Sequence, residues 1–333
     1  MVNFKATGDK KEYNIRLPRR GEKQIPNKRN TLLQDVKHRD FTIKCLYLPV
    51  DFKNINKDVV DLIEGTLDIK NKLIKFVGCP TERIIESPVR ILRAISLCAQ
   101  TNYKIPKASI KAIEKNTQLL MTVDTDSIRK ELSKIILSKA PSKAFKLMDK
   151  LGVLKVIMPE LHECSKVKQA TKYHKYDVLD HCLSAMDKTD EDIVLRLAAL
   201  LHDVGKAQTM KIINGKVTFH SHEVISAALA ENILKRLNFP ANIVQEVVWL
   251  VRLHMFHYTD DWGNSAVRRF IKKAKIDESN INNLDNHPLF KIRRADRLGK
   301  GIQMSEEEVV TIGQKELQER IRTVFFKNKN QNY

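Results

Sequence analysis

The densest chemistry in this 333-residue chain lies at Leu201-His202-Asp203-Val204-Gly205-Lys206. The residues before it, Ile193 to Leu201, are apolar almost all round and predict a buried helix. A buried helix that ends in adjacent His and Asp is not an ordinary core pattern. Neighbouring helical residues point about 100° apart, so both side chains can reach one cation beyond the helix end. Gly205 is expected to supply the turn that closes the helix. Histidines and an aspartate of matching chemistry recur along the chain: His181 upstream, His222 opening a helix, His254 ending one, and Asp296 far downstream. Imidazole and carboxylate suit Mn, Fe, Co, Ni or Zn. A bound ion lowers the pKa of its water and screens phosphate charge, which is the core of phosphoester hydrolysis. A lone histidine is more often structural, and His174, His220, His257 and His287 are read that way.

These residues need helices to position them, and the chain supplies helices from about Pro80 onward. Ser87-Pro88 reads as a helix start, with Ser as cap and Pro at the first helical position. Apolar spacing predicts further helices over about 107–121, 127–138, 142–151, 176–187, 192–204, 222–237, 241–256, 264–273, 289–300 and 305–325. Before Pro80 the texture differs. Tyr13 to Leu17, Phe41 to Leu48, Val59-Val60 and Leu73 to Val77 read as short strands, punctuated by Gly65 and Gly78. The expected organisation is a sheet-containing head over 1–80, a helical neck over 81–166, a helical metal domain over 167–303, and a C-terminal helix with a polar tail over 304–333. The fold class is α+β.

Lys and Arg outnumber Asp and Glu 59 to 40, for a net charge of +19. Residues 1–45 alone hold twelve bases against five acids, with Arg19 and Arg20 in an exposed Gly/Pro-containing loop. Such a chain is drawn to polyanions, although a Lys-rich composition can also be no more than a solvated surface. No apolar run approaches the ~18–20 residues of a membrane span. The N-terminus is basic but has no apolar stretch of a secretory signal. The five cysteines are scattered, with no CxxC pair, as in a reduced, cytoplasmic protein.

The H…HD…H…H…D order resembles the HD superfamily of metal-dependent phosphohydrolases. The resemblance implies a metal set of His181, His202, Asp203 and Asp296. It also implies that His222 and His254 hold a second ion or the scissile phosphate, and that Lys206 pairs with phosphate oxygens. His202, Asp203, Lys206 and His222 would be catalytic, with a divalent Mn, Ni, Co, Fe or Mg as cofactor. A second resemblance spans about residues 12–300. Arg39-Asp40-Phe41-Thr42-Ile43 is similar to the RRDFT strand motif of class II CCA-adding tRNA nucleotidyltransferases and poly(A) polymerases. Asp61 to Ile69 is similar to their DxxxGxxDL turn, and Ser87 to Ala94 to their EDPxRxLRA neck helix. Leu151-Gly152-Val153-Leu154 through Met158-Pro159-Glu160-Leu161 resembles the segment that ends the neck.

The departures carry as much information. The family's head opens with a Gly-rich segment and a DxD pair that holds two magnesium ions, and the present sequence begins at about the strand that follows them. Ser87 stands where the family's base-reading motif has Asp, while Arg90 is retained. Ser127 stands where Arg is expected in the motif that runs through Glu131 and Lys134, and Lys44 replaces an Asn. The resemblance assigns nucleotide or RNA binding to Arg39, Asp40, Arg90, Arg93, Glu131 and Lys134, joined by Arg19 and Arg20. Arg90/Arg93 and Glu131/Lys134 can equally be a solvated neck face.

The sequence therefore predicts an RNA-directed protein, with tRNA or its 3′ end as partner. Its first reading is an HD-type phosphohydrolase on RNA 3′ ends, cyclic phosphates or nucleotides. The alternative is a CCA- or poly(A)-adding transferase whose head is completed upstream or by a partner protein. A third is a non-catalytic RNA-binding relative.

Overall fold

The computed structural model describes residues 2–5, 12–15, 32–48, 58–168, 177–256, 258–259, 261–301 and 312–330. The chain is α+β, mostly helical, with three two-stranded antiparallel sheets. It divides into two compact units, residues 1–120 and 121–333.

In the first unit, strands Val2–Lys5 and Glu12–Ile15 pair with Val2 opposite Ile15. Leu46–Tyr47 pairs with Val60–Asp61. Two expected strands took other forms. Thr42–Lys44 is a turn of 3-10 helix rather than strand. Its burial explains why: Phe41, Thr42 and Cys45 face inward together, which an alternating strand cannot achieve. Leu73 to Val77 contributes only isolated bridges, Phe41 to Phe76 and Leu73 to Lys104. The Phe41 and Phe76 rings lie 5.0 Å apart, and Val36, Cys45 and Val77 form a small core beside them. The helix break also falls elsewhere. A helix Pro80–Glu86 ends at an extended Ser87, whose amide donates to the Arg83 carbonyl, and the next helix, Arg90–Thr101, starts at Val89 with no side-chain cap.

The second unit is a helical assembly. Helix Ile193–Leu201 is its centre: residues Leu195 to Leu201 are all buried. Asp192 starts this helix by accepting from the amides of Val194 and Leu195, both at 2.9 Å. Its one charged residue, Arg196, is buried but donates to the carbonyls of Ile136 and Ser138. Helices Val178–Asp187, Ala241–Leu253 and Pro288–Leu298 pack against it. Asn264–Lys273 has the bounds its apolar spacing predicts, and Pro288–Leu298 starts with His287 accepting from the Leu289 amide. A hairpin, Lys211–Ile213 with Lys216–Thr218, was not anticipated.

Candidate metal centre and head cluster

Seven side chains from five segments meet at the inner end of helix Ile193–Leu201. His202 follows the last residue of that helix, and Asp203 and Lys206 follow in the next turn. His181 projects from Val178–Asp187, His222 opens His222–Arg236, His254 closes Ala241–Leu253, and Asp296 lies on Pro288–Leu298. All are buried. Around the first focus, His181 Nε2 lies 3.1 Å from His202 Nε2, 3.2 Å from Asp296 Oδ1 and 3.4 Å from Asp203 Oδ2. Around the second, Asp203 Oδ1 lies 3.1 Å from His222 Nε2 and 3.7 Å from His254 Nε2.

Three of the histidines are oriented by one device. Nδ1 of His202 faces the Ala199 carbonyl at 2.8 Å, that of His222 faces Phe219 at 2.8 Å, and that of His254 faces Val251 at 2.7 Å. A carbonyl can only accept, so Nδ1 carries the proton and each ring turns its Nε2 into the cluster. For His222 and His254 that Nε2 is buried and makes no hydrogen bond among the described residues. Buried polar atoms without partners are costly. Here they converge with two carboxylates, and His181/His202/Asp296 and His202/Asp203/His254 each bring their ligand atoms within 4.8 Å of one another. Separations of 3.1 to 3.7 Å match the edges of a coordination shell with bonds of about 2.1 Å. The donor set fits a divalent transition metal.

The electrostatics point the same way. Burial would raise the Asp203 pKa, but the charges of His202 and Lys206 hold it well below the usual carboxylate range. Burial likewise opposes ionisation of Asp296, and hydrogen bonds from His181 and His202 overcome it. Burial would lower the His202 pKa, yet the Asp203 charge holds it well above the ordinary value. Lys206 Nζ bonds Asp203 Oδ2 at 2.6 Å and sits 5.3 Å from the centre of the Phe219 ring.

Gly205 has a different role from the one expected. Its φ is −72°, ordinary for any residue. A β-carbon there would stand 2.6 Å from the Ser226 amide nitrogen and 2.7 Å from the His222 carbonyl oxygen. The glycine lets helix His222–Arg236 approach, and this brings His222 to Asp203. The Gly205 amide donates to Ser226 Oγ at 2.9 Å.

The candidates of the first unit are also gathered, but with each other. Asp40 accepts from Arg90 Nε at 2.7 Å and from Arg93 at 2.8 Å. Arg90 is buried and also donates to Glu86 at 2.6 Å and to the Arg83 carbonyl at 2.8 Å. Arg39 pairs with Asp35, which Tyr47 also reaches at 2.7 Å. Asp61 accepts from the amides of Gly65 and Thr66 and from the Thr66 hydroxyl, shaping the turn. A β-carbon at Gly65 would meet the Thr42 carbonyl oxygen at 2.4 Å. In the second unit, Lys134 bonds the buried Glu131 at 2.7 Å. Ser127 donates its amide to Asp124, the cap of helix Thr125–Ile136. Arg19 and Arg20 lie outside the described residues.

Fold and centre together define a protein with a polymerase-type head followed by an HD domain. Three family models run along the chain in that order. They are the poly(A) polymerase head domain over residues 6–75, the probable RNA- and SrmB-binding site of polymerase A over 102–165, and the HD domain over 161–300. In these domains and their order the chain matches the CCA-adding tRNA nucleotidyltransferase and poly(A)-polymerase family. It is 27% identical over 256 residues to the A-adding tRNA nucleotidyltransferase of Deinococcus radiodurans, with 73% of this chain and 57% of that protein covered. It is 27% identical over 254 residues to a multifunctional CCA protein of Neisseria gonorrhoeae, covering 73% and 59%. It thus spans less than three-fifths of these relatives. The CCA-adding enzyme of Bacillus stearothermophilus shares the fold, with a TM-score of 0.54 at 16% identity, covering 89% of this chain and 60% of that one.

Proposed function

We propose that the protein acts on tRNA 3′ ends as a CCA- or A-adding type of nucleotidyltransferase, with a metal-dependent phosphohydrolase in its HD centre. The relatives' descriptions favour transfer over hydrolysis, reversing the order in which the sequence ranked them. Transfer rests on the head, RNA-binding and HD models following one another along the chain. Developing charge in that reaction must be met by ions on a fixed carboxylate pair. The carboxylate pair is in this reading supplied by an upstream segment or by a partner chain. In this reading the head is 1–80, the neck 81–166, the HD domain 167–303 and the tail 304–333, and the protein works in the cytoplasm. Among the described residues no helix is long and apolar enough to cross a membrane. RNA would meet Arg19, Arg20 and the exposed edge of Arg93, while Arg90 and Asp40 hold the neck to the head.

Hydrolysis rests on one observation: three histidines locked through Nδ1 present Nε2 toward two buried aspartates. His181, His202, Asp203 and Asp296 would hold the metal, with His222 and His254 reaching a second ion or the phosphate. The ion would supply an acidified water and screen the phosphate. Lys206 keeps Asp203 ionised and oriented, a positioning role. On a 2′,3′-cyclic phosphate, the water oxygen bonds phosphorus, one ring P–O bond breaks, and the departing ribose oxygen takes a proton.

Two assays test this pair of activities. Loaded with Mn or Ni, the chain should open a 2′,3′-cyclic nucleotide, and inertness across a broad phosphoester panel sinks the hydrolase reading. With labelled CTP and ATP and a tRNA lacking CCA, the chain alone should add nothing and should add nucleotides once the missing head is supplied. No addition under either condition removes the transferase reading.

A further inference from the structure

Helix Pro288–Leu298 carries more than a metal ligand. Arg293, Asp296 and Arg297, spaced three and four residues from the first, share one face of it, and Lys300 follows two residues beyond its end. That face borders a cavity of about 400 Å³ lined by Phe256, Tyr258, Arg293, Arg297, Lys300 and Gln314. All three cations are only partly exposed. Arg293 links cavity and centre: its guanidinium lies 3.3 Å from Asp296 Oδ2 and 3.4 Å from the His254 carbonyl oxygen. It also stacks 5.7 Å from the Phe256 ring centre. Among the described residues, Arg297 and Lys300 have no carboxylate within ion-pair distance. Like charges crowded into a hollow repel each other, and an anion relieves that repulsion.

We propose that this cavity binds a second phosphate of the substrate: the internucleotide phosphate next to the one cleaved at the HD centre. Guanidinium matches phosphate with two parallel hydrogen bonds, and Lys300 adds a point charge. Tyr258 and Phe256 offer aromatic surface for the adjoining base. The centre thereby selects the 3′ end of an RNA strand over a free mononucleotide. This inference rests on the hydrolase reading of the same centre, but can fail separately. Residues Glu306, Glu307 and Glu308 follow in sequence outside the described residues, so the test requires the full chain.

The experiment compares, on the Mn-loaded full chain, a 2′,3′-cyclic mononucleotide with a dinucleotide ending in the same cyclic phosphate. The dinucleotide should be favoured in kcat/KM by about tenfold or more, the value of a charged hydrogen-bonded contact. Arg297→Ala with Lys300→Ala should collapse that ratio, and Arg297→Lys with Lys300→Arg should restore part of it. Lys272→Ala, an exposed cation on another helix, should leave the ratio alone. A native ratio near one, or a ratio unmoved by the double alanine variant, overturns the subsite. ATP serves as a competitor: if it displaces the dinucleotide only where Arg297 and Lys300 are intact and outcompetes it, the second phosphate belongs to a free nucleotide and the strand assignment falls. If neither substrate turns over, the hydrolase reading has failed, and binding decides the subsite. A 5′-labelled trinucleotide with a 3′-phosphate should then bind about tenfold more weakly to the double alanine variant. Its log–log salt slope should fall by about 0.7 for the one phosphate released. Unaltered affinity and slope overturn the proposal.

Discussion

The HD centre and the head cluster are both built around aspartates and treat charge in opposite ways. In the head cluster the charges are met by one another: Asp40 by Arg90 and Arg93, Arg90 also by Glu86, and Asp35 by Arg39 and Tyr47. In the HD centre, two histidines are locked by a carbonyl on one nitrogen while the other nitrogen is buried without a hydrogen bond. A motif can persist because it holds a fold together or because it does chemistry. The unfilled donor atoms separate the cases. In the head the retained motif residues are accounted for as structure, whereas in the HD centre they are not.

Substitutions can break this contrast. The largest effect should come from Asp203→Ala, which removes the carboxylate shared by His181, His202, His222 and Lys206. Metal content and cyclic-phosphate hydrolysis should fall by more than about a hundredfold, beyond the loss of an outer-shell partner. Elemental analysis beside a folded far-UV spectrum checks it. Next, Arg90→Ala should cost about 2 kcal/mol in urea unfolding, because a buried guanidinium is lost and Asp40 is left with Arg93 alone. Arg90→Lys should recover only part, since Lys cannot donate along the same fork. A stability loss within about 0.5 kcal/mol would show that Arg90 is held for ligand and not for fold.

Smaller effects sharpen the comparison. Gly65→Ala should destabilise by about 1–3 kcal/mol, because the β-carbon meets the Thr42 carbonyl oxygen rather than a side chain that could move. The smallest effect is in pH. Burial would raise the Asp40 pKa, but Arg90 and Arg93 bring it below the ordinary carboxylate value. A depressed folded-state pKa gives stability that is full above the unfolded value, about 3.9, and is lost as pH falls through the folded value. The acid limb of a stability–pH curve should therefore flatten in Asp40→Asn, while the curve above pH 5 keeps its shape. In the HD centre the proton competes with the metal at His202, so metal uptake should weaken as pH falls.

Much of the HD centre was legible in the sequence because His202, His222 and His254 fall at helix ends that apolar spacing locates. His202 after Leu201 and His254 after Leu253 need only the helix limits to be right. The carbonyls that orient these rings lie three residues back on the same helix and were implicit in that geometry. The head was harder to read because its decisive contacts are distant. Asp40 meets Arg90 and Arg93 across fifty and fifty-three residues, and nothing local at Asp40 announces them. Phe41 to Cys45 misled through a short alternation that burial on one side of a tight turn mimics. At Gly205 and Gly65 the need for glycine is close approach by another segment, invisible to local turn rules. Asn214-Gly215 between Ile213 and Lys216 was a hairpin signal that could have been used.

Titration of metal-stripped protein with Mn2+, followed by electron paramagnetic resonance, tests the central claim most directly. Two variants carry the comparison, Asp203→Asn in the HD centre and Asp40→Asn in the head. The account predicts saturable Mn2+ binding to the native chain, lost with Asp203→Asn and retained with Asp40→Asn. Undiminished binding in Asp203→Asn, or loss confined to Asp40→Asn, would contradict it and move the metal site to the head.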